Sequence, residues 1–295
     1  MKVERDPTTL PRRSTPASAS RAPSLGPRLE AIASLIRPGR PLIDIGTDHA
    51  RLPAILLAEA RIPQALGTDK RHGPLREAQR TLERLACGDR LILRKGDGLR
   101  PILDAELEGY GTLVIAGMGG ASISKIVEDP RLKRFRGRIV LQPNARYRAL
   151  ASLRCQLHNL GWSLVSETLA RERGTIYIVM AAERSSSPPP LANPLVPRAD
   201  IELQVSGPID DLGRPPLHIC YHYLGPCLNI MSPPHPLYGA WLRQEHRANR
   251  QVLSQACEDE ARHRQLWQRL LDHQLDALEH DPRDGGDPSG MTCHP

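Results

Sequence analysis

Short apolar segments alternate with amphipathic segments through the first 183 residues of the chain. The apolar segments are rich in Leu, Ile and Val, which is typical of buried strands, and apolar residues recur at helical spacing between them. This alternation predicts an α/β fold with a doubly wound, mostly parallel sheet. The seven predicted strands are 41–45, 65–68, 91–95, 112–116, 138–142, 164–167 and 175–182.

The two ends of this alternating region differ from its middle. Between residues 29 and 36 the apolar side chains share one helical face, and Pro38-Gly39 follows, so we expect a helix before the first strand. Only residues 168–174 separate the last two strands. That spacing is too short for a crossover helix and predicts an antiparallel hairpin at the sheet edge.

Proline marks the end of the predicted sheet. The segment after Glu183 reads RSSSPPPLANPLVPR, which is typical of a stiff, exposed linker. Farther on, residues 237–278 carry leucines at spacings near three and four, which predicts one long helix or a helical hairpin. We therefore expect a disordered tail at 1–24, an α/β domain at 25–183, a Pro-rich linker and irregular segment at 184–236, a helical C-terminal domain at 237–280 and a second disordered tail at 281–295.

The charge of the chain is concentrated in the predicted α/β domain. The whole chain carries a formal charge of +7, whereas residues 28–183 hold twenty-five basic and seventeen acidic residues, a net +8. A basic catalytic domain suggests a polyanionic partner such as nucleic acid. A solvated surface that favours solubility has the same composition, so charge alone leaves both interpretations open.

Cysteine usage and hydropathy indicate the compartment. The six cysteines form no CxxC pair, so we expect no disulfide framework and a reducing cytoplasm. His218, Cys220, His222 and Cys227 match no common zinc spacing, and we predict no metal site. The chain has neither a signal-like apolar region nor about 18 consecutive apolar residues, so we expect no membrane association. Nothing in the sequence indicates an obligate protein partner.

Glycines and acidic residues follow the first three predicted strands. Asp44-Ile45-Gly46-Thr47-Asp48-His49 leaves the first strand and opens a helix, where glycine lets the backbone approach a ligand. It is not the GxGxxG of dinucleotide-binding proteins, which disfavours NAD. Asp69 ends the second strand and Gly96-Asp97-Gly98 follows the third. Each alone suits an ordinary turn, but the three meet at one sheet edge and together favour a nucleoside ligand.

The next two strands end in residues that suit a second ligand. Ala116-Gly117-Met118-Gly119-Gly120 would leave an opening lined by backbone, through which a target base could enter. Gln142-Pro143-Asn144 offers amides that could read a base edge or position a cofactor, and a structural cap at the strand end is an equal alternative.

These motifs together resemble those of the bacterial tRNA adenine(22)-N1-methyltransferases, the TrmK family. The resemblance is dense over residues 25–183 and resumes weakly at Leu224-Gly225-Pro226. The strings DHAxLP and AGMGG carry most of its specificity. Three features depart from the family: Arg51 replaces the tyrosine of DHAYLP, Asp69 replaces a glutamate, and the proline-rich insertion is longer. The other matching segments are Arg28-Leu29, Ile32-Ala33, Asp44-Ile45-Gly46, Gly96-Asp97-Gly98-Leu99, Gln142-Pro143-Asn144 and Ile176-Tyr177.

The resemblance implies a Rossmann-like class I methyltransferase domain with a smaller, coiled-coil-like C-terminal helical domain. It also implies S-adenosylmethionine (SAM) as methyl donor and N1 of an adenine in tRNA, at position 22, as acceptor. The residues expected to hold SAM are those of the glycine loops and the acids beside them: Asp44, Gly46, Thr47, Asp69, Asp97, Gly98, Gly117 and Met118.

The chemistry asks mainly for positioning, because the N1 lone pair of neutral adenine is nucleophilic and a sulfonium is a strong electrophile. Asp48, His49 and Asn144 are the candidates for holding the base or the cofactor, although His49 alone also suits a structural helix start. Since N1 is paired in a duplex, the base must be unpaired or flipped, and Tyr147 or Tyr177 could stack on it.

A basic tract is the candidate for gripping RNA. Seven basic residues and no acidic one occur between Arg131 and Arg148, and we expect the loop ends of this segment to lie beside the catalytic edge. Arg131, Lys133, Arg134 and Arg136 are the members that we expect to contact phosphates. Two alternatives remain open. The protein could methylate another RNA or another base atom, or it could bind RNA and SAM without catalysis.

Overall fold

All seven predicted strands form one sheet. A computed structural model describes residues 24–85, 88–145, 147–184, 235–254 and 258–279. Within them the strand order is β3-β2-β1-β4-β5-β7-β6, with β1 to β5 parallel and β7 antiparallel to both of its neighbours. The predicted α/β fold and its antiparallel edge are confirmed. The strands are β1 Leu42–Ile45, β2 Ala65–Asp69, β3 Leu91–Lys95, β4 Thr112–Met118, β5 Arg138–Pro143, β6 Trp162–Glu172 and β7 Thr175–Arg184.

Helices connect these strands in the expected alternation. The predicted first helix begins at Pro27. Proline suits this position because its ring fixes a helical φ and because an N–H at the first helical position would have no partner within the helix. Short 3-10 turns precede β3 and β5, at Gly88–Arg90 and Pro130–Lys133. The α-helices of this part are α1 Pro27–Leu35, α2 Arg51–Ala58, α3 His72–Leu85, α4 Asp104–Gly109, α5 Gly120–Val127 and α6 Tyr147–Asn159.

The last hairpin is longer than its apolar pattern predicts. β6 spans eleven residues rather than the four of 164–167, because a register shift between Leu164 and Ser166 interrupts the alternation. β5 pairs with β7 only as far as Met180, opposite Leu141. The tip of the β6–β7 hairpin therefore extends past the carboxyl end of β5.

Alternate residues of the parallel strands bury opposite faces of the sheet. Ile43 and Leu113 belong to one hydrophobic cluster, whereas Leu42 and Val114, their chain neighbours, belong to the other. Every residue of β1 and β2 is buried, as expected for strands covered by helices on both faces. The rigid sheet fixes where each strand ends.

A helical hairpin packs on this domain. Its helices are α7 Tyr238–Leu253 and α8 Glu258–Glu279, so the region is a hairpin rather than one long helix. Its buried side chains, among them Trp241 and Trp267, share one cluster with a face of the sheet. The Gln244 side chain accepts from Ile176 N at 2.9 Å and donates to Ile176 O at 3.2 Å, which ties α7 to β7 past the end of β5.

Two expectations fall outside this description. The proline-rich segment, from residue 185 to residue 234, and the His218–Cys227 group lie outside the described residues. Within the described ranges, no group of His, Cys, Asp and Glu side chains could hold a metal ion. None of the described helices is both long and apolar enough to span a membrane.

Candidate functional site

Several residues at the carboxyl edge of the sheet have left-handed backbone angles. Gly46, Gly98 and Gly117, which follow β1, β3 and β4, have φ of +72°, +56° and +71°. Asp48 and Ala50 also have φ of +51°, although non-glycine residues rarely occupy this region. Strained residues persist where the surrounding structure enforces them, and they often mark ligand sites.

Gly46 brings the first, second and fourth strand ends together. Its amide and that of Thr47 both donate to Thr68 O, at 2.7 and 2.9 Å. A Cβ on Gly46 would collide with Cε of Met118. The left-handed φ therefore favours glycine, and any side chain at this position would displace the flexible end of Met118.

Three acidic side chains gather beside this glycine. Asp44 is buried and accepts a hydrogen bond from Thr47 Oγ1 at 2.7 Å. Burial raises the pKa of Asp44 to about 6, the Thr47 hydrogen bond opposes that rise, and the charges of Asp69 and Asp48 add to it. No Lys or Arg of the described residues forms an ion pair with Asp44. The pocket therefore favours a cationic group.

Arg71 links two of the predicted loops, although no sequence motif marks it. Its amide donates to Asp69 Oδ1 at 2.8 Å, and its guanidinium lies 3.5 Å from Asp48 Oδ1. Asp48 and His49 are half exposed, with 3.5 Å between His49 Nε2 and Asp48 Oδ2. The loop with Asp97 joins them through Gly96 N, which donates to Asp69 O at 3.0 Å.

Asn144 follows β5 at the same edge of the sheet as the acids. Its amide nitrogen donates to Met118 O at 2.7 Å, and its side-chain Nδ2 donates to Gly117 O at 2.9 Å. Behind it, Gln142 receives a hydrogen bond from Arg28 Nη1 at 2.7 Å. The Arg28 guanidinium also lies 5.7 Å from the ring centroid of Tyr177. Arg28 thus joins a predicted base-reading residue and a predicted stacking residue, a link that no local pattern could reveal.

The first part of the basic tract lies away from the catalytic edge. Lys133, Arg134 and Arg136 are exposed, but they precede β5 and so lie at the amino edge of the sheet. Six residues of strand separate the two edges by about 20 Å. The expectation that the tract borders the catalytic edge is therefore wrong for these three residues, and the side chains of Arg146 and Arg148, at its other end, lie outside the described residues. Contact with phosphate stays a prediction.

Arg131 is the least accessible member of the tract. Its guanidinium pairs with Asp129 at 2.7 Å and donates to Ile102 O at 3.0 Å, so its charge is used within the protein. Asp129 stands two residues before the tract begins, so the charge pattern within the tract did not reveal this pair. The side chain of Tyr147 lies outside the described residues.

Comparison with known proteins places these observations in a family. Residues 25–180 match the family described as a methyltransferase domain. The chain is 33% identical over 160 residues to the tRNA (adenine(22)-N(1))-methyltransferase of Bacillus subtilis, a match that covers 54% of this chain and 65% of that relative, just under two thirds of its length.

Solved structures share the fold over most of the chain. The crystal structure of the B. subtilis M1A22 tRNA methyltransferase TrmK is 26% identical, with a TM-score of 0.60, and covers 87% of this chain and 97% of that one. A Streptococcus pneumoniae structure in complex with S-adenosyl-L-methionine is 22% identical, with a TM-score of 0.62, and covers 85% of this chain and all of that one. At that identity the second likeness shows the fold alone.

Proposed function

The chain belongs to the methyltransferase-domain family, and we propose that it is a SAM-dependent enzyme that methylates N1 of an adenine in tRNA, at position 22. One observation carries the proposal: five parallel strands end at a single edge, where a buried acid with no cationic partner among the described residues lies beside glycine loops with left-handed φ. The relative from B. subtilis, named for the same reaction, supports the choice of substrate.

SAM fits the charge of this edge. Its ammonium and sulfonium groups are cations, and the Asp44, Asp48 and Asp69 carboxylates form an acidic pocket. The ammonium would pair with Asp44 near Thr47, which stabilises the ionised carboxylate and lowers its raised pKa. The ribose hydroxyls would donate to Asp69 at the end of β2. Asp97 and Gly98 would then border the adenine ring, and Gly117 and Met118 would lie by the sulfonium.

The target adenine would approach from the side of Asn144 and Tyr177. Its N1 lone pair attacks the methyl carbon as the carbon–sulfur bond breaks, giving S-adenosylhomocysteine and a cationic N1-methyladenine. Catalysis then depends on holding N1 in line with the sulfonium, and such positioning alone accelerates the reaction strongly. Asp48 and His49, both exposed beside the acidic pocket, remain candidates for contacting the base or the cofactor.

A second cationic surface supports an RNA substrate. Arg243, Arg247 and Arg250 are exposed on α7 at helical spacing, and the only acid of that helix, Glu245, is buried. The Gln244 contact with Ile176 holds this helix close to the carboxyl edge. The acids of the helical region lie mostly on α8, so its small net charge conceals a basic face. A protein acting on tRNA in this way would work in the cytoplasm.

Transfer of radiolabel from SAM to bulk unmodified tRNA tests the proposal. We expect label in tRNA with the wild-type protein and none with Gly46→Val, whose side chain would displace Met118 beside the expected SAM site. SAM binding without any label transfer would indicate an RNA-binding protein that retains its cofactor. Label in ribosomal RNA but not in tRNA would indicate another RNA substrate.

A further inference from the structure

A chain of side-chain hydrogen bonds runs behind the base-facing side of the site. Arg28 Nη1 donates to Gln142 Oε1 at 2.7 Å, and Gln142 Nε2 donates to Asn144 Oδ1 at 3.1 Å. Asn144 Nδ2 then donates to Gly117 O at 2.9 Å. This series of hydrogen bonds connects helix α1 to the loop that would border the methyl group.

The direction of this chain is fixed from both ends. A guanidinium can only donate, so Gln142 must turn its oxygen toward Arg28 and its nitrogen toward Asn144. A backbone carbonyl can only accept, so Asn144 must turn its nitrogen toward Gly117. Both requirements place Oδ1 of Asn144 in the same position, and neither amide can flip without breaking two bonds.

The surroundings hold Arg28 in place. Its Nε donates to Glu172 Oε2 at 3.3 Å, and its guanidinium lies against the Tyr177 ring. Gln142 is fully buried, whereas Asn144 is exposed. The oriented amide is therefore accessible at its outer end and rigidly supported at its inner end.

We infer that Arg28 is a positioning residue that makes the site specific for the 6-amino group of adenine. The inference rests on the proposed function. Asn144 Oδ1 has two lone pairs and uses one for Gln142, so the other can accept a hydrogen bond from the adenine amino group. That amino group is adjacent to N1, so holding it also aligns N1. A purine with a 6-oxo group would place its carbonyl against the Oδ1 acceptor and be rejected.

The test compares two versions of one tRNA, with adenine or with unsubstituted purine at the target nucleotide. Purine retains N1 but lacks the amino group. The wild-type enzyme should prefer adenine in kcat/KM by about tenfold or more, since the unmade bond leaves a polar group unpaired. Arg28→Met and Gln142→Glu should lower kcat/KM for adenine more than for purine, and so reduce the adenine preference.

Two further variants separate positioning from general stability. Arg28→Lys retains a cationic donor for Gln142 and should recover part of the adenine preference. Arg138→Met removes an arginine of matching exposure, 26% against 25%, that also pairs with a glutamate but lies at the amino edge. It should keep the full adenine preference. The nitrogen-15 signal of the Asn144 side chain should shift in Arg28→Met and in Gln142→Glu but not in Arg138→Met.

The outcomes are distinct. If the wild-type enzyme does not methylate tRNA, the proposed function is rejected. The Asn144 signal would still test whether Arg28 and Gln142 orient the Asn144 side chain. An Asn144 signal that stays unchanged in Arg28→Met and Gln142→Glu would overturn this orienting role. Equal losses on adenine and purine in Arg28→Met, or a wild-type enzyme that does not discriminate between them, would overturn the role in specificity.

Discussion

The two edges of one sheet are built in opposite ways. At the amino edge Glu183 pairs with Arg37 at 2.8 Å and with Arg138 at 2.7 Å, and Arg138 also donates to Leu35 O at 3.0 Å. At the carboxyl edge Asp44 is more deeply buried and has no such cationic partner among the described residues. The strained residues Asp48 and Ala50 lie beside it. The acid at the amino edge is neutralised by two arginines, whereas the acid at the carboxyl edge has no basic partner among the described residues.

The pKa values of the two acids move in opposite directions. Burial raises the pKa of Asp44 to about 6. Burial also opposes ionisation of Glu183, but hydrogen bonds from Arg138 and Arg37 outweigh it and hold the pKa below its usual range. Deeper burial and the missing cationic partner together distinguish Asp44 from the ion-paired Glu183, and a perturbed acid of this kind is typical of a ligand site.

The largest effect is expected from filling the carboxyl edge. Gly46→Val should lower SAM affinity by at least about 100-fold, because the side chain would occupy the space beside Met118. Gly39→Val is the matched control: Gly39 also has a positive φ, +68°, but lies at the amino edge, where a Cβ would meet no atom within 4 Å. It should cost stability and leave affinity intact. Calorimetric titration measures the SAM affinity of each variant. Equal affinities in Gly46→Val and Gly39→Val would contradict the assignment of the SAM site.

The next effect concerns the buried acid. A carboxyl group with a raised pKa in the folded state binds its proton more tightly there, so the free energy of unfolding falls as the pH rises from the ordinary pKa of 3.8 to about 6 and then levels off. Asp44→Asn should remove this loss and make the cofactor-free protein more stable at pH 8 by up to about 3 kcal/mol. Its SAM affinity should nevertheless fall. Urea unfolding at pH 5 and pH 8 would contradict this if both proteins showed the same pH dependence.

The opposite sign is expected at the amino edge. The lowered pKa of Glu183 means that its contribution is present above its usual pKa and is lost as the pH falls. Glu183→Gln should therefore cost about 1 to 2 kcal/mol at pH 7, and less in acid, with no change in SAM affinity. Weakened SAM binding in this variant would show that the two edges are coupled.

The smallest expected effect is on the salt dependence of tRNA binding, which distinguishes the two cationic surfaces. Replacing Lys133, Arg134 and Arg136 with Gln should flatten the salt dependence of tRNA binding by about two units if all three contact phosphate. The matching replacement of Arg243, Arg247 and Arg250 tests the surface nearer the carboxyl edge. Filter binding at several salt concentrations gives both slopes. An unchanged slope in the first set would make the amino-edge tract a solubilising surface.

Local patterns predicted the strands and the loops that follow them. Asp44-Ile45-Gly46 and Ala116-Gly117-Met118 are recognisable because each strand end carries its own glycines and polar residues. Parallel strands bring such segments to one edge, so topology alone predicts that they meet. Their roles toward SAM remain predictions.

The features that local patterns did not predict all depend on tertiary contacts. Arg28 reaches Gln142 across 114 residues of sequence, and Arg71 joins loops that follow different strands. Lys133, Arg134 and Arg136 are near Gln142 in sequence, yet strand β5 carries the polypeptide to the opposite edge of the sheet between them. Because an extended strand covers a long distance in few residues, closeness in sequence did not mean closeness in space here.

The most direct test of the central claim is mass spectrometry of nucleosides from unmodified tRNA incubated with the protein and SAM, followed by mapping of the modified position. We predict N1-methyladenosine at position 22 with the wild-type protein and none with Gly46→Val. A methyl group on another atom or at another position, or tRNA that stays unmodified while SAM is bound, would contradict the account.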